Sequence, residues 1–226
     1  MHSRYQKNMN MLSQTEIQKL GDSKVCVIGC GGLGGYVIEM LGRLGVGNIT
    51  AVDGDVFDES NLNRQLLSDT GVIGKSKAET AKNRMLSVNP LINVVPVSQK
   101  LNAENAIEIL KANDVVIDAV DNTDTRLLLQ HWAAKLGIPM VHGAIAGWYG
   151  QVTTVLPGDA TLKFLYGRNK SDGIEKELGN PSFTPAFVAS IQVSETLKLL
   201  IGRGELLRNK VLFVDLLRQE YEVVSL

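Results

Sequence analysis

The chain has 226 residues, 44% hydrophobic and 21% charged, and its 23 Lys+Arg against 24 Asp+Glu leave a formal net charge of −1. That length suits one domain with a large core, and a composition near the globular average excludes a disordered chain, a collagen or a disulfide scaffold. The near-neutral balance argues against nucleic acid or a membrane surface as partner. No apolar run reaches the ~18 residues that span a bilayer, and the polar start Met1-His2-Ser3-Arg4 carries no signal-peptide core, so a cytoplasmic location is expected.

Residues 1–23 read as an N-terminal arm and helix, with Arg4 to Lys7 as a short basic stretch too polar to be core. Lys24-Val25-Cys26-Val27-Ile28 then reads as a buried strand ending at Gly29. Leu33, Val37, Ile38, Leu41 and Leu44 fall at helical spacing, which predicts a helix over 32–44, and 48–53 is a second strand. Helices are expected at 77–88, 102–112 and 124–136, with strands at 92–97, 114–120 and 139–144 between and after them. Alternating strands and helices imply a parallel sheet covered on both faces.

After Gly147 the pattern changes. A strand at 149–156 is followed by an irregular crossover stretch, 157–185, then a helix at 186–201 and a hairpin of 211–215 with 220–224. The expected fold is therefore α/β: a Rossmann-like, doubly wound, mainly parallel sheet over 24–147 with an antiparallel C-terminal elaboration over 148–226.

Gly29-Cys30-Gly31-Gly32-Leu33-Gly34 matches G-x-G-x-x-G through Gly29, Gly31 and Gly34. The first glycine permits a tight turn, the second admits phosphate to the backbone, and the third lets helix pack on strand. Phosphate then lies at a helix N-terminus, where unpaired N–H groups favour an anion. Asp53 ends the second strand nineteen residues beyond Gly34, where a carboxylate accepts ribose hydroxyls. Three further features depart from a plain dinucleotide site: the run Ser60-Asn61-Leu62-Asn63-Arg64-Gln65, Lys77 at the start of a helix, and Asp121-Asn122 at a strand's carboxyl end. Extra cations suit a triphosphate, and a lone carboxylate at that position suits Mg²⁺.

In this order and spacing, Gly29–Gly34, Asp53, Ser60–Gln65, Lys77 and Asp121-Asn122 resemble the HesA/MoeB/ThiF family of ubiquitin-activating-type adenylyltransferases. The similarity runs from Arg4-Tyr5 through Gly150-Gln151-Val152 to the helix at 186–201. It implies a homodimeric enzyme that uses ATP and Mg²⁺ to adenylate the C-terminal Gly-Gly carboxylate of a small ubiquitin-like sulfur-carrier protein. The pathway would be thiamine, molybdopterin or related sulfur-transfer biosynthesis. Carried over by position, Gly32 lies in the nucleotide loop and Asp53 binds ribose. Asn61, Arg64 and Gln65 sit at the phosphates, Lys77 stabilises them, and Asp121 holds magnesium.

Three features differ from the family pattern. Many relatives carry two Cys-x-x-Cys zinc pairs, whereas the two cysteines here are Cys26 and Cys30, so no zinc is expected. Many also offer a crossover-loop cysteine, and 157–185 has none, so the product is expected to remain an acyl-adenylate or pass to another protein. The family's second N-terminal arginine, which reaches the partner subunit's ATP, stands here as Lys7, which keeps the charge without the planar fork.

Other residues read as structural. Cys26 is expected in the core, Cys30 as a small filler of the loop, and His142, on an apolar strand, as a satisfied core histidine. Trp148-Tyr149 either lines a groove for an extended tail or packs. Two rival readings are an NAD-dependent oxidoreductase, which lacks an evident hydride-site acid–base pair here, and a non-catalytic nucleotide-binding dimer scaffold, which would not need Arg64, Lys77 and Asp121.

Overall fold

The computed structural model describes residues 2–167 and 175–226. Its centre is an eight-stranded sheet in the order β3-β2-β1-β4-β5-β6-β7-β8. Strands β1 (Lys24–Ile28), β2 (Asn48–Val52), β3 (Asn93–Val97), β4 (Val115–Asp118) and β5 (Met140–Ala146) are parallel. β6 (Tyr149–Val155), β7 (Lys210–Asp215) and β8 (Glu220–Ser225) continue the sheet antiparallel. This is the doubly wound core with the antiparallel extension that the alternation of elements predicts.

Side chains alternate across a strand, so each buried strand feeds two cores. Val25 and Val27 of β1 join the larger core, built with Val37, Leu41, Val188 and Leu200. Cys26 and Ile28 join the other, with Leu110, Val116, Leu129, Met140 and Leu162. The first core lies under α1 (Gln14–Asp22), α2 (Gly32–Leu44), α3 (Lys77–Val88) and α8 (Phe183–Ile201); the second under α4 (Ala106–Leu110), α5 (Thr123–Leu136) and α6 (Thr161–Tyr166). Ser13 starts α1 with a capping box to Glu16.

Two expectations are corrected. The helix expected at 102–112 shrinks to α4, because Asn102 Oδ1 accepts the N–H groups of Glu104 and Asn105 at 2.9 and 3.0 Å and folds 102–105 into a turn. The stretch 157–185 is not uniformly irregular: it holds α6 and the one-turn α7 (Glu175–Leu178), and α8 starts at Phe183. Leu162 and Leu165 lie one helical turn apart, a period too short to read in sequence, and Leu162 is wholly buried. The rest of the crossover, 168–174, lies outside the described residues. Among the described residues no helix is long and apolar enough to cross a membrane.

Candidate active site

Strand order reverses between β1 and β4, and the crevice outside their carboxyl ends is where an open α/β sheet binds ligands. A cavity of about 230 Å³ lies there. Its floor is the glycine turn. Gly29 has φ of 97° and donates its N–H to Val52 O at 2.8 Å; a Cβ on it would lie 2.5 Å from Ala119 O. A Cβ on Gly34 would lie 1.8 Å from Gly29 O, so the first turn of α2 rests directly on the loop. Gly34 serves the site from beneath and does not line the cavity. Gly31, at the N-cap of α2, makes no side-chain capping bond, which leaves the helix's first N–H groups open to an anion.

Asp53 follows β2 and holds the loop. Its Oδ2 accepts Cys30 N–H and its Oδ1 accepts Asp55 N–H, both at 2.8 Å. A carboxylate has about four lone-pair directions, so acceptor capacity remains on the cavity wall. Cys30 is wholly buried and its thiol is pushed well up by burial, with Asp53 adding to the effect, so it is inert filler. Cys26 is also buried in the core, as expected.

The opposite wall is cationic. Arg64 lies over Gly32 and its Nη1 donates to Ser60 O at 2.9 Å and Asn63 Oδ1 at 2.8 Å. Lys77, the first residue of α3, is 8% exposed, its Nζ 5.9 Å from the Phe57 ring centre. Among the described residues neither Arg64 nor Lys77 forms an ion pair, and both line the cavity, which Asp53, Asp55 and Asp121 also line. Gln65 is buried against Gly31, with its Oε1 unpartnered.

Gly29, Gly31, Gly32, Asp53, Arg64, Gln65, Lys77, Asp121 and Asn122 thus meet around one cavity. Ser60, Asn61, Leu62 and Asn63 do not line it. They build the turn that presents Arg64: Asp58 and Asn61 form a reciprocal cap, and Asn63 Nδ2 donates to Asn180 O at 3.2 Å. Ser60 N–H and its hydroxyl hold the Asp58 carboxyl below the usual range. Lys7 is exposed and also outside the cavity of its own chain. Trp148 packs on Phe183, with ring centres 4.7 Å apart, and does not line it either.

Asp121 projects at the exposed rim just after β4, and Asn122 caps α5 by accepting Thr125 N–H at 2.9 Å. One carboxylate facing several cations fits a magnesium ion that takes most of its ligands from phosphate and water. Among the described residues no three His, Cys, Asp or Glu side chains gather as an all-protein metal cage would need.

The structure adds residues to the sequence reading. Arg126, 7% exposed, lines the cavity from α5, and Asp55, Gln99, Lys100, Gly143, Ala144 and Asn180 are among the further lining residues. Lys100 is raised above its usual range by its contact with Asp55 at 3.0 Å. Arg126 was detectable in principle, since it lies four residues beyond the cap Asn122, one turn along the helix on the ligand side. Asn180 carries no such signal.

The ThiF family's sequence model matches residues 5–226. The chain is 37% identical over 209 residues to the SAMP-activating enzyme E1 of Haloferax volcanii, covering 91% of this chain and 77% of that protein. It is 36% identical over 217 residues to the sulfur carrier protein adenylyltransferase of Thermus thermophilus, covering 92% and 80%. With the molybdopterin-synthase adenylyltransferase of Escherichia coli it shares 30% identity over 214 residues, covering 92% and 85%. Among solved structures, PaaA superposes with a TM-score of 0.82 at 20% identity over 98% of this chain and 72% of that one. E. coli MccB with ATP gives 0.80 at 21% identity over 100% and 71%. The fold, the glycine turn with its cationic wall and these relatives agree, and the chain belongs to the ThiF family.

Proposed function

We propose that this protein is an adenylyltransferase that uses Mg-ATP to activate the C-terminal Gly-Gly carboxylate of a ubiquitin-like sulfur-carrier protein, releasing pyrophosphate. The observation that carries the reading is the convergence of Arg64, Lys77 and Arg126 on a cavity floored by the N-terminus of α2. The α2 N-terminus alone can serve a dinucleotide's pyrophosphate, so these added cations suit a longer polyphosphate. The relatives' names point the same way: the Thermus protein is a sulfur carrier protein adenylyltransferase and the E. coli one a molybdopterin-synthase adenylyltransferase.

A carboxylate attacks phosphorus poorly because both partners are anions. Arg64 and Lys77, unpaired within the site, reduce that repulsion and stabilise charge developing on the departing pyrophosphate. The α2 N-terminus orients the phosphates through backbone N–H groups, and Asp53 positions the ribose. The attacking carboxylate is already ionised at neutral pH, so no general base is required, and positioning supplies much of the rate. Asp121 would hold Mg²⁺, which when bound adds charge neutralisation at the phosphates. Zinc has no part in this reading: Cys26 and Cys30 are buried thiols whose ionisation burial opposes. The active form is a homodimer.

Pyrophosphate exchange into ATP tests the reading. Exchange should depend on magnesium and on a carrier ending in Gly-Gly, and calorimetry should show Mg-ATP binding well ahead of NAD. Tighter binding of NAD, with no exchange for any Gly-Gly carrier, would overturn it.

A further inference from the structure

His142 and Asp118 are both wholly buried, yet neither belongs to the cavity wall. They are register partners on adjacent parallel strands, so their side chains lie on one face of the sheet. His142 Nδ1 lies 2.7 Å from Asp118 Oδ2, and its Nε2 lies 3.0 Å from the Tyr166 hydroxyl at the end of α6. Gln151 Nε2 approaches both His142 Nε2 and the same hydroxyl. Burial lowers the imidazole's pKa despite the carboxylate beside it, so the ring is neutral at physiological pH. The tautomer follows: Nδ1–H donates to Asp118 and Nε2 accepts from the Tyr166 hydroxyl.

Both groups that His142 holds also touch Arg126. Asp118 Oδ2 lies 3.9 Å from Arg126 Nε, and the Tyr166 ring centre lies 5.2 Å from the guanidinium carbon. Asp118 Oδ1 accepts Val120 N–H at 3.1 Å, which curls the chain so that Val120 O accepts Arg126 Nη2 at 2.8 Å. Arg126 Nε itself has no hydrogen-bond partner. The guanidinium is therefore bracketed by a carboxylate, a carbonyl and an aromatic face, and it stands one ångström short of a hydrogen-bonded ion pair with Asp118.

We propose that His142 is a positioning residue for nucleotide binding: by occupying Asp118 Oδ2 and fixing Tyr166, it prevents the buried carboxylate from closing on Arg126 and keeps the guanidinium presented to the cavity. Without the imidazole proton, Asp118 has one strong donor left within reach, and pairing with it draws Arg126 away from the phosphates. The same linkage ties the nucleotide pocket to α6, an element of the crossover itself.

The inference rests on ATP occupying this cavity, and the test separates the two claims. Calorimetric titration of the full chain with Mg-ATP is run on wild type, His142→Leu, Tyr166→Phe, Arg126→Ala and the two double variants carrying Arg126→Ala, with melting curves for each. Absence of ATP binding by wild type would sink the functional reading and this inference with it. If wild type binds, His142→Leu should weaken binding by about tenfold, the scale of one hydrogen bond to a charged group. In the Arg126→Ala background it should weaken binding no further. His142→Asn, which retains a donor toward Asp118, should recover part of the loss. A histidine that merely supports the fold would lower the melting temperature while leaving the affinity of the folded protein unchanged, or would weaken it equally with and without Arg126; either result overturns the proposal. If His142→Leu does not fold, Tyr166→Phe decides. It removes one hydroxyl and keeps the ring, and an unchanged affinity there overturns the proposal as well.

Discussion

Arg4 bonds to the end of α3, 85 residues away in sequence: its Nη1 lies 2.6 Å from Asn89 Oδ1 and 3.0 Å from Val88 O. Tyr5 joins them, its hydroxyl accepting from Asn89 Nδ2 at 2.8 Å and its ring packing on Gly45. These contacts fasten the N-terminal turn, Ser3–Asn8, to the carboxyl ends of α2 and α3. Helices run antiparallel to the strands they connect, so this anchor lies at the end of the sheet opposite the candidate active site. Lys7 therefore stands far from its own nucleotide cavity on a rigidly held turn, exposed for contact with another chain.

In the proposed homodimer, Lys7 serves the partner's nucleotide site. Lys7→Ala and Asp121→Ala homodimers should each exchange pyrophosphate poorly. A mixed dimer carries one site with both defects and one with neither, so mixing the two should restore activity. Failure to recover, with subunit exchange shown separately, would confine Lys7 to its own chain.

Gly34→Ala tests the floor of the site. The added methyl would lie 1.8 Å from the carbonyl oxygen of Gly29, a backbone atom that cannot swing aside. The loop and α2 must separate, at a cost of about 3 kcal/mol. Denaturant unfolding should show that loss, and titration should show ATP binding lost with it. Gly32→Ala meets only the flexible Arg64 side chain, nearest at 3.7 Å, and should keep the fold.

Asp121→Ala addresses the proposed magnesium ligand. The carboxylate is exposed and accepts a long hydrogen bond from the adjacent Asn122 at 3.5 Å, so the change should cost the fold less than about 1 kcal/mol. Exchange should nevertheless fall to background. Near-normal exchange would remove Asp121 from the metal role.

Much of this was legible because local sequence and global fold agree. β1, α2 and α3 fall where apolar periodicity and the glycine turn put them, and Arg64, Lys77 and Asp121 meet although 57 residues separate the first from the last. Their meeting follows from topology, since every parallel strand delivers its following residue to the same end of the sheet. Asn180 and the Asp118–His142–Tyr166 chain were not legible as a site. Asn180 meets Asn63 from far along the chain, and Tyr166 stands on α6, whose six residues are too few for a period. His142 could be read as a buried histidine; that it stands between Asp118 and Tyr166 is a matter of strand register.

The acid stability of the protein should carry the signature of His142. Burial lowers its folded pKa below the ordinary 6.5, against the pull of Asp118 and with Arg126 adding to the depression; Tyr166 and Gln151 face the ring from α6 and β6. Above pH 6.5 the imidazole is neutral in both folded and unfolded chains, and its contribution is fully present. As pH falls below 6.5 the unfolded chain takes up a proton that the folded one refuses, and the fold loses about 1.4 kcal/mol per pH unit until the folded histidine titrates too. That corresponds to a fall of a few degrees in melting temperature per pH unit. Glu16, held by Arg203 at a pKa of about 2, adds its own acid sensitivity only below its ordinary 4.5, outside this window. Melting curves from pH 8 to 5 on wild type and His142→Asn isolate the term by difference. Wild type should lose stability faster than the variant below pH 6.5, and parallel curves would show that the imidazole is not held neutral by the fold.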